Sequence, residues 1–415
     1  MTNYRELHTP LRTITTPGPV EADPRVLRAM STPILGQFDP AFTQIMNETM
    51  DMLRQVFQTE NQWAFPIDGT SRSGLEAVLT SVISPGDKVL IPIFGRFGHL
   101  LTEIAERNGA EIHTIETEWG QVFDQEKIIE AIDRIQPKVL AIVHGETSTG
   151  CMQPLDKIGK ACRERGVLSI VDAVATIAGT EVKVDEWQLD AVIGGTRKCL
   201  SIPSGMAPIT FNERISDILA SRKKVERGVR TSEDAVDVLH PIRSNYFDLS
   251  QLQDYWGPRR LNHHTEATSM LYALREGARV VLEEGLEERF ARHRLHEQAI
   301  MEGVKAMGLT LFNDVPWKLP MVTCVTIPEG IDGEAVRSML LEQFGIEIAS
   351  SFGPLQGKIW RIGAMGYSCR KENVLAVLSG LEAVLIRNGA DVRRGEAIQA
   401  ALDVYGATAI QKAMM

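Results

Sequence analysis

The sequence predicts an α/β protein: a large unit built on a mainly parallel sheet, followed by a smaller α+β unit. Two observations carry this reading. From about residue 60 to 212, short apolar runs alternate with stretches of helical periodicity, and strands that alternate with helices form parallel sheets covered on both faces. Beyond a long helix-like run at 265–286, three more short apolar runs sit among further helical segments, which reads as a second, smaller unit.

The elements follow in chain order. Residues 1–15 are polar and irregular, an N-terminal arm, and TTPGPVEADPRVLRAM is a Pro and Gly loop feeding a helix. Strands are expected at 65–67, 88–93, 111–115, 139–143, 168–171, 191–193 and 206–211. Helices are expected between several of them, at 74–83, 99–108, 125–135 and 155–165. Residues 213–260 are charged and mixed. The second unit has strands near 322–327, 346–349 and 359–362, and the tail 389–415 is periodic enough for one more amphipathic helix. The expected organisation is an arm (1–15), a large unit (16–283), a small unit (284–390) and a helical extension (391–415).

Composition bounds the function. The 415 residues, at roughly 150 per domain, suit two or three units. With 44 Lys and Arg against 54 Asp and Glu, the formal charge is −10, which argues against a broad phosphate-tracking surface and so against nucleic acid as a partner. The longest apolar runs, near 89–94 and 139–143, fall far short of a membrane span, and MTNYRELHTP lacks the basic and apolar regions of a signal peptide. A cytoplasmic location is expected. Five scattered cysteines, never spaced C-x-x-C, read as buried thiols, and nine histidines without an H-x-x-x-H pattern give no support for a metal.

Ligands of open α/β sheets bind outside the carboxyl ends of the strands, so the residues after each strand carry the chemistry. After 65–67 comes Asp68-Gly69-Thr70-Ser71-Arg72, after 139–143 HGETSTG, after 168–171 Asp172, and after 191–193 Gly194-Gly195-Thr196-Arg197-Lys198. Gly69-Thr70-Ser71 at a helix start offers backbone N–H groups, two hydroxyls and the positive end of a dipole, which is an anion site. Ser73 with Glu76 as a plain capping box would explain the same hydroxyls. Asp172, at the end of an apolar strand, is either a desolvated carboxylate needing a cationic partner or a turn aspartate. Lys198 is held between Gly-rich and Pro-rich backbone, where a lone lysine is commonly solvated. Together an anion site, an acid and a lysine are the three fixtures of pyridoxal 5'-phosphate: phosphate at the helix terminus, carboxylate on the pyridine nitrogen, lysine in the Schiff base.

The ordered set GTSR, HGETSTG, VDAVAT, TRK and KIWRIG resembles the class V aminotransferases of PLP fold type I, in their alanine- and serine-glyoxylate branch, over residues 16–388. The resemblance implies a large domain with a seven-stranded, mainly parallel sheet and a smaller C-terminal domain. It implies that Lys198 forms the Schiff base and Asp172 pairs with the pyridinium. Thr70, Ser71 and Arg72 then lie at the phosphate, with Thr147 near the ring, and Phe97 stands where a stacking tryptophan is usual. Arg361 matches the arginine that forks onto the substrate carboxylate. His263, His264 and Thr265 match a stretch that reaches the neighbouring subunit's cofactor phosphate, which implies a homodimer with shared active sites. On the residues alone that histidine pair could equally begin a helix.

One departure from the family bears on the substrate. Asn262 stands where members acting on alanine carry a tyrosine, and Gln37 follows Gly36 in the loop that faces the substrate. An apolar side chain would leave both carboxamides unpaired at roughly 1–3 kcal/mol each. A ureido group would pair with them, so the expected donor carries one, with glyoxylate as acceptor. Contact of Gln37 and Asn262 with phosphate or solvent alone is the competing reading, with alanine or serine as donor. A cysteine desulfurase-like activity is disfavoured because IASSFGPLQGKIWRIG has no cysteine and Cys369 lies beyond Arg361. The intact lysine, aspartate and arginine argue against a non-catalytic homologue.

Overall fold

The computed structural model describes residues 4–232, 238–312 and 314–413. The first three residues of the expected arm and the last two of the expected tail lie outside the described residues. Fourteen strands are seen among them: β1 (Thr13–Ile14), β2 (Trp63–Gly69), β3 (Lys88–Ile93), β4 (Glu111–Glu116), β5 (Val139–Val143), β6 (Gly145–Glu146), β7 (Cys151–Met152), β8 (Leu168–Asp172), β9 (Ala191–Ile193), β10 (Gly205–Phe211), β11 (Val322–Thr326), β12 (Ile346–Glu347), β13 (Ala349–Ser350) and β14 (Ile359–Gly363).

Seven of these make one sheet in the order β2-β10-β9-β8-β5-β3-β4. Pairing is parallel from β9 to β4, and only β10 runs against its neighbours. Every residue of β5, β8 and β9 is buried, as strands covered on both faces must be. Edge strand β4 instead has only half-buried and exposed positions. The register sets Gly69 opposite Gly205, Asp172 opposite Val143, and Ile193 opposite Asp172. The carboxyl ends of β2, β5, β8 and β9 and the start of the reversed β10 therefore share one edge of the sheet.

The main hydrophobic core covers this sheet and reaches the helix Thr268–Glu284. A second core forms around Trp360 and the helices Leu286–Ala306 and Lys371–Arg387. A third, smaller cluster joins Val20, Ala175 and Cys199 to Met321, Cys324 and Met365, and so seats the C-terminal sheet β11-β14-β13 against the edge that carries the motifs. All five cysteines are buried, and burial pushes the thiols of Cys162, Cys199, Cys324 and Cys369 up to about 12.

Three local expectations need correction. The helix after β2 runs Ser71–Val82 with Thr70 as its N-cap, so Ser73 lies inside its first turn and forms no capping box with Glu76. Its backbone N and Oγ both donate instead to the Thr70 carbonyl, at 2.8 and 2.7 Å. The expected strand 346–349 is divided: β12 pairs with β1, and β13 with β14. The run 265–286 contains one helix, Thr268–Glu284, which stops at Gly285 with φ +87°, a left-handed conformation that glycine tolerates. The histidine pair precedes that helix and does not begin it.

Candidate active site

A cavity of about 370 Å³ opens where the four carboxyl ends converge, and Thr70, Ser71, Arg72, Phe97, Thr147, Asp172 and Lys198 all line it. Lys198 hangs on the loop from β9 to the reversed β10, and its Nζ donates to the Pro17 carbonyl at 2.6 Å. Burial lowers its pKa to about 8, the Arg361 charge pushes the same way, and Asp172 and Glu146 oppose. At about 8, roughly a tenth of such amines are neutral at pH 7, far more than for an ordinary lysine.

Asp172 ends β8 beside that lysine. Its Oδ1 accepts from the Val174 backbone N at 3.0 Å, which leaves Oδ2 for another partner. Burial raises its pKa to about 6, and nearby Glu146 adds to the rise against the Val174 hydrogen bond and Lys198. A cation at Oδ2 would reverse this shift.

Thr70 caps its helix with backbone alone, since its side chain makes no capping hydrogen bond. Its hydroxyl, the Ser71 hydroxyl and the first N–H groups of a twelve-residue helix thus stand together at the cavity wall. Gly195 supports them from below: a Cβ there would come within 2.8 Å of Ser71 Oγ and 2.6 Å of Val174 Cγ1.

Glu146 was not foreseen as a site residue, although it stands inside HGETSTG. It is fully buried. Oε2 accepts from the Phe97 backbone N at 2.8 Å, and Oε1 from the Ser148 N and Oγ at 2.9 and 2.6 Å. Burial pushes its carboxyl up, while these hydrogen bonds and Arg361 pull it down. The acid thereby ties the Phe97 backbone to the loop that carries Thr147. A glutamate after a strand ordinarily reads as solvated, and only the motif could have signalled it. Neighbouring His144 is also buried, its Nδ1 2.9 Å from Thr176 Oγ1, and burial lowers its pKa to about 4.

Arg361 lies within β14, buried, and does not line the cavity. Nε donates to the Ser350 carbonyl at 2.7 Å and Nη1 to the Thr147 carbonyl at 2.8 Å. Its guanidinium stands 4.8 Å over the Phe352 ring, and that of Arg96 stands 4.1 Å over the same ring. Burial lowers Arg361 to about 10, so it stays charged at neutral pH.

The other expected residues, Gln37, Asn262, His264 and Thr265, do not line the cavity around Lys198; the loops that carry them, 31–39 and 257–267, meet through Gln37 and Asn262, and His264 packs against Asp68 at the end of β2. Gln37 Nε2 donates to Asn262 Oδ1 at 2.7 Å, while Gln37 Oε1 is buried without a hydrogen-bond partner among the described residues. His264 Nε2 is 3.4 Å from Asp68 and 3.6 Å from Glu266, and Thr265 is exposed. Ligand-capable atoms of Asp68, His264 and Glu266 fall within 4.8 Å of one another. Burial and the adjoining Asp68 push the Glu266 carboxyl well up.

The family model for aminotransferase class-V matches residues 29–359. The chain belongs to the class V aminotransferases. It is 71% identical, over 98% of both chains, to the (S)-ureidoglycine–glyoxylate transaminase of Bacillus subtilis. The crystal structure of ureidoglycine-glyoxylate aminotransferase from Bacillus subtilis superposes with a TM-score of 0.92 at 70% identity, covering 97% of this chain and 100% of that one. An alanine–glyoxylate aminotransferase of Drosophila melanogaster is 34% identical over 92% of this chain and 94% of its own.

As a class V aminotransferase the enzyme is a PLP-dependent transaminase. The residues fit that cofactor: a lysine with a lowered pKa, a carboxylate with an uncommitted oxygen, and a helix terminus with two hydroxyls all line one cavity.

Proposed function

We propose that this enzyme moves the amino group of (S)-ureidoglycine to glyoxylate, giving oxalurate and glycine, a step in purine breakdown. The observation that carries it is the 71% identity to the Bacillus subtilis transaminase over 98% of both chains. The Gln37–Asn262 hydrogen bond pairs the two carboxamides with each other in part, so an apolar donor would not leave both unpaired, and support for the ureido donor narrows to one atom. That pairing leaves the buried Gln37 Oε1 as an acceptor, which the N–H groups of a ureido group would fill and a methyl side chain would not.

The residues divide the work as follows. Thr70, Ser71, Arg72 and the first turn of the helix Ser71–Val82 would hold the cofactor's phosphate. Asp172 would hold the ring nitrogen protonated, and Phe97 would cover the ring. Bound in this way, the cofactor supplies an aldehyde that takes up amines and a pyridinium that draws electrons from the donor's α-carbon. Lys198 moves the proton at that α-carbon, as base and then as acid, and its lowered pKa suits both duties. Arg361, charged, stacked on Phe352 and hydrogen-bonded to the carbonyl of the cavity-lining Thr147, would take the carboxylate of each substrate with the guanidinium N–H groups those contacts leave over.

Because Gln37, Asn262, His264 and Thr265 do not line the cavity around Lys198 of their own chain, they serve the cavity of a second copy. The working unit is a homodimer with shared sites, and its place is the cytoplasm. Among the described residues no helix is long and apolar enough to cross a membrane.

A donor comparison tests the activity. With glyoxylate as acceptor, (S)-ureidoglycine should exceed alanine and serine at least tenfold in kcat/KM; parity would return the enzyme to the alanine-glyoxylate reading. Asn262→Tyr combined with Gln37→Leu should move that ratio toward alanine, and an unchanged ratio would remove both residues from substrate selection.

A further inference from the structure

We infer that the Pro17 carbonyl is the docking point of the Lys198 amine whenever that amine is not joined to the cofactor, and that residues 13–21 form a strap that positions the lysine. This rests on the reading of Lys198 as the cofactor's tether and adds a positioning group that acts through it.

Three observations on the strap converge. The lysine lies against it: Nζ donates to Pro17 O at 2.6 Å, and a Cβ on Gly18 would come within 2.2 Å of Nζ, 2.4 Å of Cδ and 2.5 Å of Cε. Gly18 also holds φ +97°, which requires glycine there, and any Cβ would push the lysine's amine end aside. The strap forms part of the site, since Gly18 and Pro19 line the cavity.

It is also fixed at both ends to the part of the chain that carries Arg361. Thr13 N and Thr15 N donate to the Gly345 and Glu347 carbonyls, each at 2.9 Å, and the Thr15 carbonyl accepts from Gly363 N at 2.7 Å. Gly363 is two residues beyond Arg361 on β14. Past the cavity, Glu21 N donates to Ser368 Oγ at 3.0 Å and its carboxylate pairs with Arg370 at 2.7 Å. Between the two anchors, Thr16 Oγ1 donates to the Pro19 carbonyl at 2.7 Å and closes the turn.

A carbonyl only accepts, so it cannot take the lysine's proton. It can fix one N–H of the amine and so leave the lone pair of the neutral form pointing off the strap. A long, rotatable side chain is thereby held in one orientation for proton transfer.

Hydrogen exchange read by mass spectrometry over residues 13–22 tests this in the whole enzyme. Two loaded samples are compared, one as purified and one given an amino donor without acceptor, which returns Lys198 to a free amine while the cofactor stays in place. Exchange should slow at least fivefold in the second sample. In the unloaded protein, Lys198→Ala should speed it by a similar factor. Gly18→Ala should lower kcat at least tenfold with the KM for glyoxylate within twofold, and Thr16→Val should move kcat in the same direction by less; should the glycine variant fail to fold, the exchange data decide. Equal exchange in the two loaded samples would overturn the strap. Borohydride reduction of the loaded enzyme separates this from the tether: a label on another residue removes the tether, whereas a label on Lys198 with unchanged exchange removes the strap alone.

Discussion

Asp172 and Lys198 are displaced toward each other in pKa, to about 6 and about 8, and each depends on the other's charge. In the unloaded protein, acylation of Lys198 by an amine-selective reagent should therefore titrate with a midpoint near 8. Asp172→Asn removes a charge that raises the lysine's pKa, so the midpoint should move down; Arg361→Leu removes one that lowers it, so the midpoint should move up. Mass-spectrometric labelling rates against pH check both signs. Lys198, Asp172 and Thr70 were legible because each follows an apolar strand in a dense motif. Glu146 was in view, yet its role depends on burial, which the neighbours of a single residue do not disclose. Pro17 was out of reach altogether, since 181 residues separate it from the amine it accepts.

Periodicity located most elements of the large sheet, because strands buried on both faces have nothing but apolar residues to show. It failed where pairing partners are distant. Residues 346–349 read as one apolar strand, but the chain passes there from a two-residue ladder with β1 to the edge of the C-terminal sheet, and nothing local encodes a partner at residue 13. That ladder gives an expectation of its own. A Cβ on Gly363 would fall 2.3 Å from the Thr16 carbonyl oxygen, so Gly363→Ala should cost roughly 1–3 kcal/mol by overpacking, and limited proteolysis should cut the N-terminal segment faster. His144, at the end of β5, supplies a pH effect. Its folded pKa of about 4 lies below the ordinary value of 6.5. The stability it contributes is complete above 6.5 and is lost as pH falls toward 4, because the unfolded chain takes the proton first. The gap in urea stability between the parent and His144→Asn should therefore narrow across that range.

At the scale of the molecule, the residues proposed for cofactor and donor fall into two sets within one chain: Lys198 and Asp172 line the cavity, while Gln37 and Asn262 pair with each other outside its lining. The proposed homodimer with shared sites would reunite them. Mixing Lys198→Ala subunits with subunits inactivated at Thr265 should restore activity toward about a quarter of the parent's sites if subunits pair at random, and no recovery in subunit-exchange assays would remove that geometry. The fold class and the order of the motifs were readable along the chain, whereas the separation of the two residue sets was not, because it depends on how loops 31–39 and 257–267 pack. The cysteines offer a practical handle on this architecture. All five are buried, and four hold their protons to about pH 12, so iodoacetamide at pH 8 finds little to alkylate in the native enzyme. Carbamidomethylation then becomes a clock for unfolding, and comparing Cys162 with Cys369 tells which half of the chain opens first.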